Sequence, residues 1–359
     1  MSGSRPSRTL LVRADASADT GTGHVMRCLA LAQAWQDRGG DVQFASCQMP
    51  EGLRRRLTED NIAIQHFDAL PGSRFDVEET INLAHRFGAG WVVLDGYHFD
   101  TTYHERLKTA GIRLAVIDDN AHLERYLADV IVNQNVHAAR LRYSNEPYTS
   151  LLLGPRYALL RREFLRWRNV RRDIPPIATR LLVTFGGSDP GNRTVLVLQA
   201  LERVRVPLEV AVVLGAANPH EPTVRRLAAM SKHRVRIESN VTDMTRLMNW
   251  ADAAVSAAGS TTLELAFMGV PAILLIVAEN QLELATALDE SGAAVNLGWA
   301  RDITPGVLAE EVERLILSPS KRGRMRVIGR SLVDGLGAQR VVDVMNSLEA
   351  SIGVDSSTV

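Results

Sequence analysis

The chain has 359 residues, enough for two domains that each bury a core, and its 41 basic and 41 acidic side chains cancel. That balance leaves no general attraction for nucleic acid or an anionic membrane, so neither is expected as a partner and an anionic ligand would need a local site. Two cysteines exclude a disulfide framework, "MSGSRPSRT" lacks the apolar core of a secretion signal, and runs such as "VPAILLIVA" are far shorter than the ~20 residues of a spanning helix. A cytoplasmic location and a monomer are expected.

In chain order, short β-branched apolar runs alternate with segments of helical period. "TLLVRAD" reads as strand, "HVMRCLALAQAWQDRG" as helix, "DVQFAS" as strand, "EGLRRRLTED" as helix and "IAIQHF" as strand. "WVVLDG", a helix over about Thr101–Ala110, "IRLAVIDD" and "ADVIVNQN" continue the rhythm. This alternation predicts a parallel sheet flanked by helices, with ligands gathered at the carboxyl ends of the strands. The arginine-rich "RWRNVRRDIPPIATR", with Pro175-Pro176, breaks the pattern and reads as a linker. "LLVTFGGSDPGNRT", "PLEVAVVLG", "VRIES", "ADAAVSAAGSTTLELAFMG", "PAILLIV" and "AAVNLG" then restart it, with helical segments to about Ala350. The expected organisation is an N-terminal Rossmann-like domain over 8–165, a linker over 166–178, a second Rossmann-like domain over 179–335 and a C-terminal helix over 336–351, with a cleft between two doubly wound sheets.

Three strand-to-helix turns carry candidate chemistry. In "GTGHVMR" the residues Val25, Cys28, Leu29, Ala32 and Trp35 form the buried stripe of the helix, and His24 stands off it in the first turn. Gly21 and Gly23 allow a tight turn and a close ligand approach, and Arg27 lies on the same side as His24, where it could meet an anion. The plain alternative is a polar residue at a helix start. In "VSAAGSTTLELAFMG", Ser260, Thr261 and Thr262 at a helix start suit a diphosphate, and Glu264 could take a ribose diol; a Thr261–Glu264 capping box is the alternative. "FGGSDPGN" fits neither a Walker A nor a dinucleotide fingerprint, so Gly186, Gly187 and Ser188 form either a second wall of that anion site or a turn opened by Asp189-Pro190.

Acidic strand ends recur at Asp15, Asp95 and Asp118-Asp119, with His98 and His122 nearby. No tight ligand spacing accompanies them, so no metal and no cofactor are expected, and they read as sheet-end or substrate contacts. Asp15 could orient His24. Tyr97 suits a substrate contact or a rim position equally.

Taken together, "RADASADTGTGHVMRCLALA", "VVLDGYH", "VIDDNAH", "DVIVNQN", "LLGPRYALLRREF", "VTFGGSDPGN", "VSAAGSTTLELAFMGVPAILL" and "ENQ" resemble the nucleotide-sugar hydrolases of pseudaminic acid biosynthesis. These cleave UDP-2,4-diacetamido-2,4,6-trideoxy-β-L-altropyranose and are related to spore-coat polysaccharide proteins. They look like cousins of the transferase that adds N-acetylglucosamine to the lipid-linked peptidoglycan precursor. The resemblance implies a GT-B type architecture of two Rossmann-like domains and a UDP-sugar substrate. It makes His24 the base with Gly23 as its backbone neighbour. It gives Ser260, Thr261 and Thr262 the diphosphate, Glu264 the ribose, and Asn280 and Gln281 the sugar or phosphate, and Tyr97 matches the tyrosine that follows the strand-end aspartate. A glycosyltransferase and a non-catalytic nucleotide-sugar binding module are the rival readings.

Overall fold

The computed structural model describes residues 9–17, 21–187, 189–215, 218–239 and 241–355. The chain divides into two compact units, Met1–Arg162 with Gly335–Val359, and Glu163–Asp334.

The first unit is built on strands β1 (Thr9–Ala14), β2 (Asp41–Ser46), β3 (Ala63–His66), β4 (Ala89–Asp95), β5 (Arg113–Ile117), β6 (Val130–Asn133) and β7 (Ser150–Leu153). They form one sheet in the order β3-β2-β1-β4-β5-β6-β7, every pair parallel. Strand alternation sends successive side chains to opposite faces, and both faces of this sheet are covered. Leu10, Val12, Trp91 and Val93 pack with Leu29 and Trp35 of the helix Gly23–Asp37, and with Val341, Val342 and Met345. Leu11, Val92, Leu94 and Leu114 pack on the other face with Val77, Tyr103 and Leu107. The helix Gly337–Asp355 therefore returns to the first unit. The strand "SLLL" and the helix Arg74–Arg86 complete this layer and are additional to the elements read from the sequence.

The second unit carries β8 (Arg180–Thr184), β9 (Glu209–Leu214), β10 (Arg234–Ser239), β11 (Ala253–Ala257), β12 (Ala272–Ile276) and β13 (Ala294–Trp299), in the parallel order β10-β9-β8-β11-β12-β13. The segment 166–178, read as a linker, lies inside this unit. Its backbone carbonyls are taken by guanidinium groups of the helix Pro319–Leu332: Arg322 Nη2 donates to Pro175 O at 2.8 Å, Arg330 Nη1 to Val170 O at 2.7 Å, and Arg326 to Arg172 O. Proline removes donors from this strap but leaves acceptors, and arginine supplies the missing N–H groups. Among the described residues no helix is long and apolar enough to cross a membrane.

One buried group makes the first unit sensitive to acid. His104, on the helix Thr101–Thr109, is fully buried, and both ring nitrogens lack a hydrogen-bond partner. Burial disfavours its cation and lowers its pKa from 6.5 to about 4. Between those values the unfolded chain takes up a proton that the native state refuses. Stability is therefore complete above pH 6.5 and falls as the pH drops toward 4, by an amount on the order of 3 kcal/mol. Urea midpoints at pH 7 and pH 4.5 should differ much less in His104→Leu than in the unmodified protein. An unchanged pH dependence would acquit His104.

Candidate active site

Each sheet reverses its strand order at one point, between β1 and β4 in the first unit and between β8 and β11 in the second. The crevice at the carboxyl ends of the strands beside such a point is where α/β sheets take ligands. In the first unit β1 leads to Asp15 and then, through Gly21 with its positive φ of 72°, into the helix Gly23–Asp37, while β4 ends on Asp95. His24 thus projects from the first turn of one element toward the last residue of the neighbouring strand.

The contact is close: His24 Nδ1 lies 2.6 Å from Asp95 Oδ1. Asp95 is fully buried, and although burial by itself raises its pKa, Arg27 and His24 more than offset that and lower it, so the group is a carboxylate. A carboxylate only accepts, so the neutral ring places its proton on Nδ1 and keeps the Nε2 lone pair. Arg27 Nη2 is 3.2 Å from the same ring nitrogen and gives one of its two N–H groups to Asp95 Oδ1 at 2.7 Å, so the shorter contact of His24 with the carboxylate decides the tautomer. The opposite tautomer would set two lone pairs against each other at 2.6 Å. The carboxylate that orients His24 is therefore Asp95; Asp15, the alternative raised by the sequence, is engaged elsewhere. Its Oδ1 accepts from Ser46 Oγ and the Cys47 and Gln48 amides, and its Oδ2 from Arg13 at 2.7 Å.

Arg27 does not have the role the sequence suggested for it. Its guanidinium is buried between two carboxylates: Nε donates to Asp95 Oδ2 at 2.6 Å, Nη2 to Asp95 Oδ1 at 2.7 Å, and Nη1 to both oxygens of Asp119 at 2.8 and 2.9 Å. A ligand anion would have to displace one of them, so Arg27 braces the strand ends instead of meeting an anion. Asp119 is further held by Asn135 Nδ2 at 2.8 Å and by the Tyr97 hydroxyl at 2.9 Å. Asn135 had no role in the sequence reading. Its signal was the polar ending of "ADVIVNQN", which does not say which strand end it serves.

Asp15, His24, Asp95, Gly96, Tyr97 and His98 line a pocket of about 320 Å³, within the range of small-molecule sites. Tyr97 is partly exposed, and its ring meets the His24 ring edge-on at 5.3 Å. Gly96 is needed for the close approach here, because a Cβ would come within 2.7 Å of the His98 ring.

In the second unit, β11 lies between β8 and β12, so the turns that follow these three strands leave the same sheet edge side by side. The turn after β11 runs into the helix Thr261–Met268, whose N-cap Ser260 makes no side-chain capping bond. Thr261 is therefore the first helical residue rather than the cap that a Thr261–Glu264 box requires. Thr262 is tied down, its hydroxyl donating to Gly259 O at 2.7 Å, while Ser260 is exposed and Glu264 half-buried. The side chain of Gln281 stands over Gly259, and Asn280 is exposed in the same turn, Glu279–Gln281.

The helix Arg193–Leu201 after β8 is different. The Asp189 carboxylate accepts from the amides of Arg193 and Thr194 at 2.8 and 2.9 Å, and from the Thr194 hydroxyl at 2.8 Å. Its positive end is already neutralised from within the chain. In this turn Gly186 is exposed, and the Gly187 backbone packs so tightly against Gly215 that a Cβ there would meet Gly187 O at 1.9 Å. Ser188 lies outside the described residues.

Two parallel-sheet α/β domains of these strand orders define the GT-B type of fold. The chain is 19% identical to MurG of Acinetobacter baumannii, whose crystal structure it matches with a TM-score of 0.66 over 95% of this chain and 99% of that one. Residues 181–328 match the glycosyltransferase family 28 C-terminal domain. The spore coat polysaccharide biosynthesis protein SpsG of Bacillus subtilis is 30% identical over 62% of this chain and 65% of its own length. The UDP-2,4-diacetamido-2,4,6-trideoxy-beta-L-altropyranose hydrolase of Campylobacter jejuni is 22% identical over 80% of this chain and 98% of its own. The chain thus spans just under two thirds of SpsG and nearly all of the hydrolase.

The arrangement around Arg27 predicts a large stability loss. Arg27→Met would leave Asp95 and Asp119 buried without their cation, a loss of about 3–5 kcal/mol readable in urea unfolding. A loss below 1 kcal/mol would mean that the carboxylates find another partner.

Proposed function

We propose that the protein is a UDP-sugar hydrolase. Water attacks the anomeric carbon, His24 is the base, and UDP leaves. The observation that carries this reading is the Nδ1 contact of His24 with buried Asp95, which turns the Nε2 lone pair of the ring to account as a base in a small pocket. In the step, a water O–H bond breaks as its proton passes to Nε2, the new C1–O bond forms, and the electron pair of the old C1–O bond goes to the diphosphate oxygen. A single in-line displacement inverts the configuration at C1. Asp95 then faces an imidazolium, which its charge stabilises.

The diphosphate is assigned to the start of the helix Thr261–Met268, whose N-cap side chain makes no capping bond, with Ser260, Thr261 and Thr262 around it, Glu264 at the ribose, Asn280 and Gln281 beside it, and the backbone of Gly186 and Gly187 as a further wall. The sugar is assigned to the pocket at His24, with Gly23, Tyr97 and the strand-end carboxylates as its surroundings. Likeness to the Campylobacter hydrolase along nearly its whole length supports a diacetamido-trideoxy sugar as the glycosyl group. The family 28 match favours a second reading, transfer of a sugar to an acceptor on the same fold.

Assay of a panel of UDP-sugars with the acceptor omitted separates the two: hydrolysis releases UDP, and a transferase leaves the substrate intact. In heavy-oxygen water the label should enter the free sugar and not UDP. His24→Asn should keep most of its UDP affinity yet lose turnover by ~10²-fold or more, the usual scale for a positioned base. Label in UDP would mean attack at phosphorus, and near-normal turnover in the variant would remove His24 from the chemistry.

The nucleotide assignment has its own check. Glu264→Ala should weaken UDP binding by about 0.5–1.5 kcal/mol, more if the lost bond is charge-assisted. Unchanged calorimetric affinity would leave Glu264 with a purely structural role.

A further inference from the structure

Besides His24 and His98 in its lining, the pocket has a third histidine against Tyr97. His122 follows β5 and directs Nδ1 to Asp118 Oδ2 at 3.0 Å. Tyr97 stands edge-on between two imidazoles, 5.3 Å from His24 and 5.7 Å from His122 between ring centroids, and is tethered at its far end to Asp119. Asp118 is itself fixed: the amides of Asn120 and Ala121 and the Tyr143 hydroxyl donate to Oδ1, and the Tyr126 hydroxyl to Oδ2. The acceptor that holds His122 is thus anchored by several donors, whereas His122 is partly exposed and free to exchange protons.

We propose that His122, held by Asp118, is a positioning residue that sets Tyr97 against His24 in the pocket. This rests on the function proposed above for its kinetic consequence, though not for the contact itself. The ring meets the Asp118 carboxylate through Nδ1 and the Tyr97 ring edge-on. An imidazolium bonds a carboxylate more strongly than a neutral imidazole does, so the protonated form keeps its place against Tyr97 more firmly. The surrounding charges agree: Asp118 and Asp119 lie on the same strand end, and the Asp118 bond raises the pKa of His122 against the opposing effect of burial. From the neighbouring elements, His104 on its helix is neutral, Tyr126 and Tyr143 keep their protons because burial raises their pKa values, and the Arg27 cation is spent on Asp95 and Asp119. Deprotonation of His122 therefore weakens its hold on Asp118 and with it the edge contact that seats Tyr97 against His24.

Ring-carbon NMR of the ligand-free protein labelled on tyrosine, with Tyr97 assigned by its disappearance in Tyr97→Phe, reads this directly. The Tyr97 resonance should move with pH. His122→Asn should abolish that movement or a step of it, and His122→Gln serves if the first variant does not fold. A Tyr97 resonance that titrates identically with and without His122 would overturn the proposal. In the hydrolase assay, His122→Asn should lower turnover by about 10- to 100-fold, the scale of a misplaced reacting group. Its effect should also be non-additive with Tyr97→Phe, and additive losses would count against positioning. A Tyr97 titration that depends on His122, in a protein that releases no UDP from any UDP-sugar, would leave the positioning intact and overturn the hydrolase reading alone.

Discussion

The guanidinium of Arg27 holds together the carboxyl edge of the first sheet. It comes from the second turn of the first helix and spans the ends of β4 and β5 by gripping Asp95 and Asp119 at once. Three charges buried together are costly to desolvate, and they are tolerated because every oxygen of the two carboxylates meets a donor in good geometry. The rest of the pocket follows. Asp95 is fixed, so its one remaining approach to His24 fixes the imidazole; Asp119 is fixed, so the Tyr97 hydroxyl has a stationary partner. Arg13 repeats the device one strand away, where it bridges Asp15 and Asp76.

The two helix starts at the switch point of the second sheet show how a fold distinguishes a site from a structural end. Both follow parallel strands and both expose amides by construction. After β8 the chain supplies its own anion, Asp189. After β11 the N-cap residue is Ser260, which makes no side-chain capping bond. A dipole end without a carboxylate cap from its N-cap residue suits an external anion better than one that holds Asp189, which is why the diphosphate is assigned to one turn and only a backbone wall to the other.

Much of the architecture was legible in the residues. Apolar runs that end abruptly in polar residues marked β1, β4, β5, β6, β8 and β11, because a strand buried on both faces is predominantly apolar and carries a charge, such as Arg13 in β1, only where it is paired. β7 was not read because "SLLL" is short and edge-placed, with Leu151 partly exposed, so it carries little of the signal of a central strand. The strap over 166–178 resembled a linker in composition. Its packing depends on arginines about 150 residues further along, a relation that no local window contains.

Sequence by itself determined the alternation of strands and helices, the glycine turn before His24 and the hydroxyl-rich turn after β11, since period and turn chemistry are local properties. Tertiary structure decided the partners. It chose Asp95 over Asp15 to orient His24, and it made Arg27 a brace between carboxylates where an anion contact had been expected. It also set Asp189 on its own helix and brought His122 behind Tyr97. The physical reason is that the order of strands in a sheet, not their order in the chain, determines which strand ends stand side by side. β1 lies beside β4 although two strands separate them in sequence, and the charges of the pocket are paired across that junction.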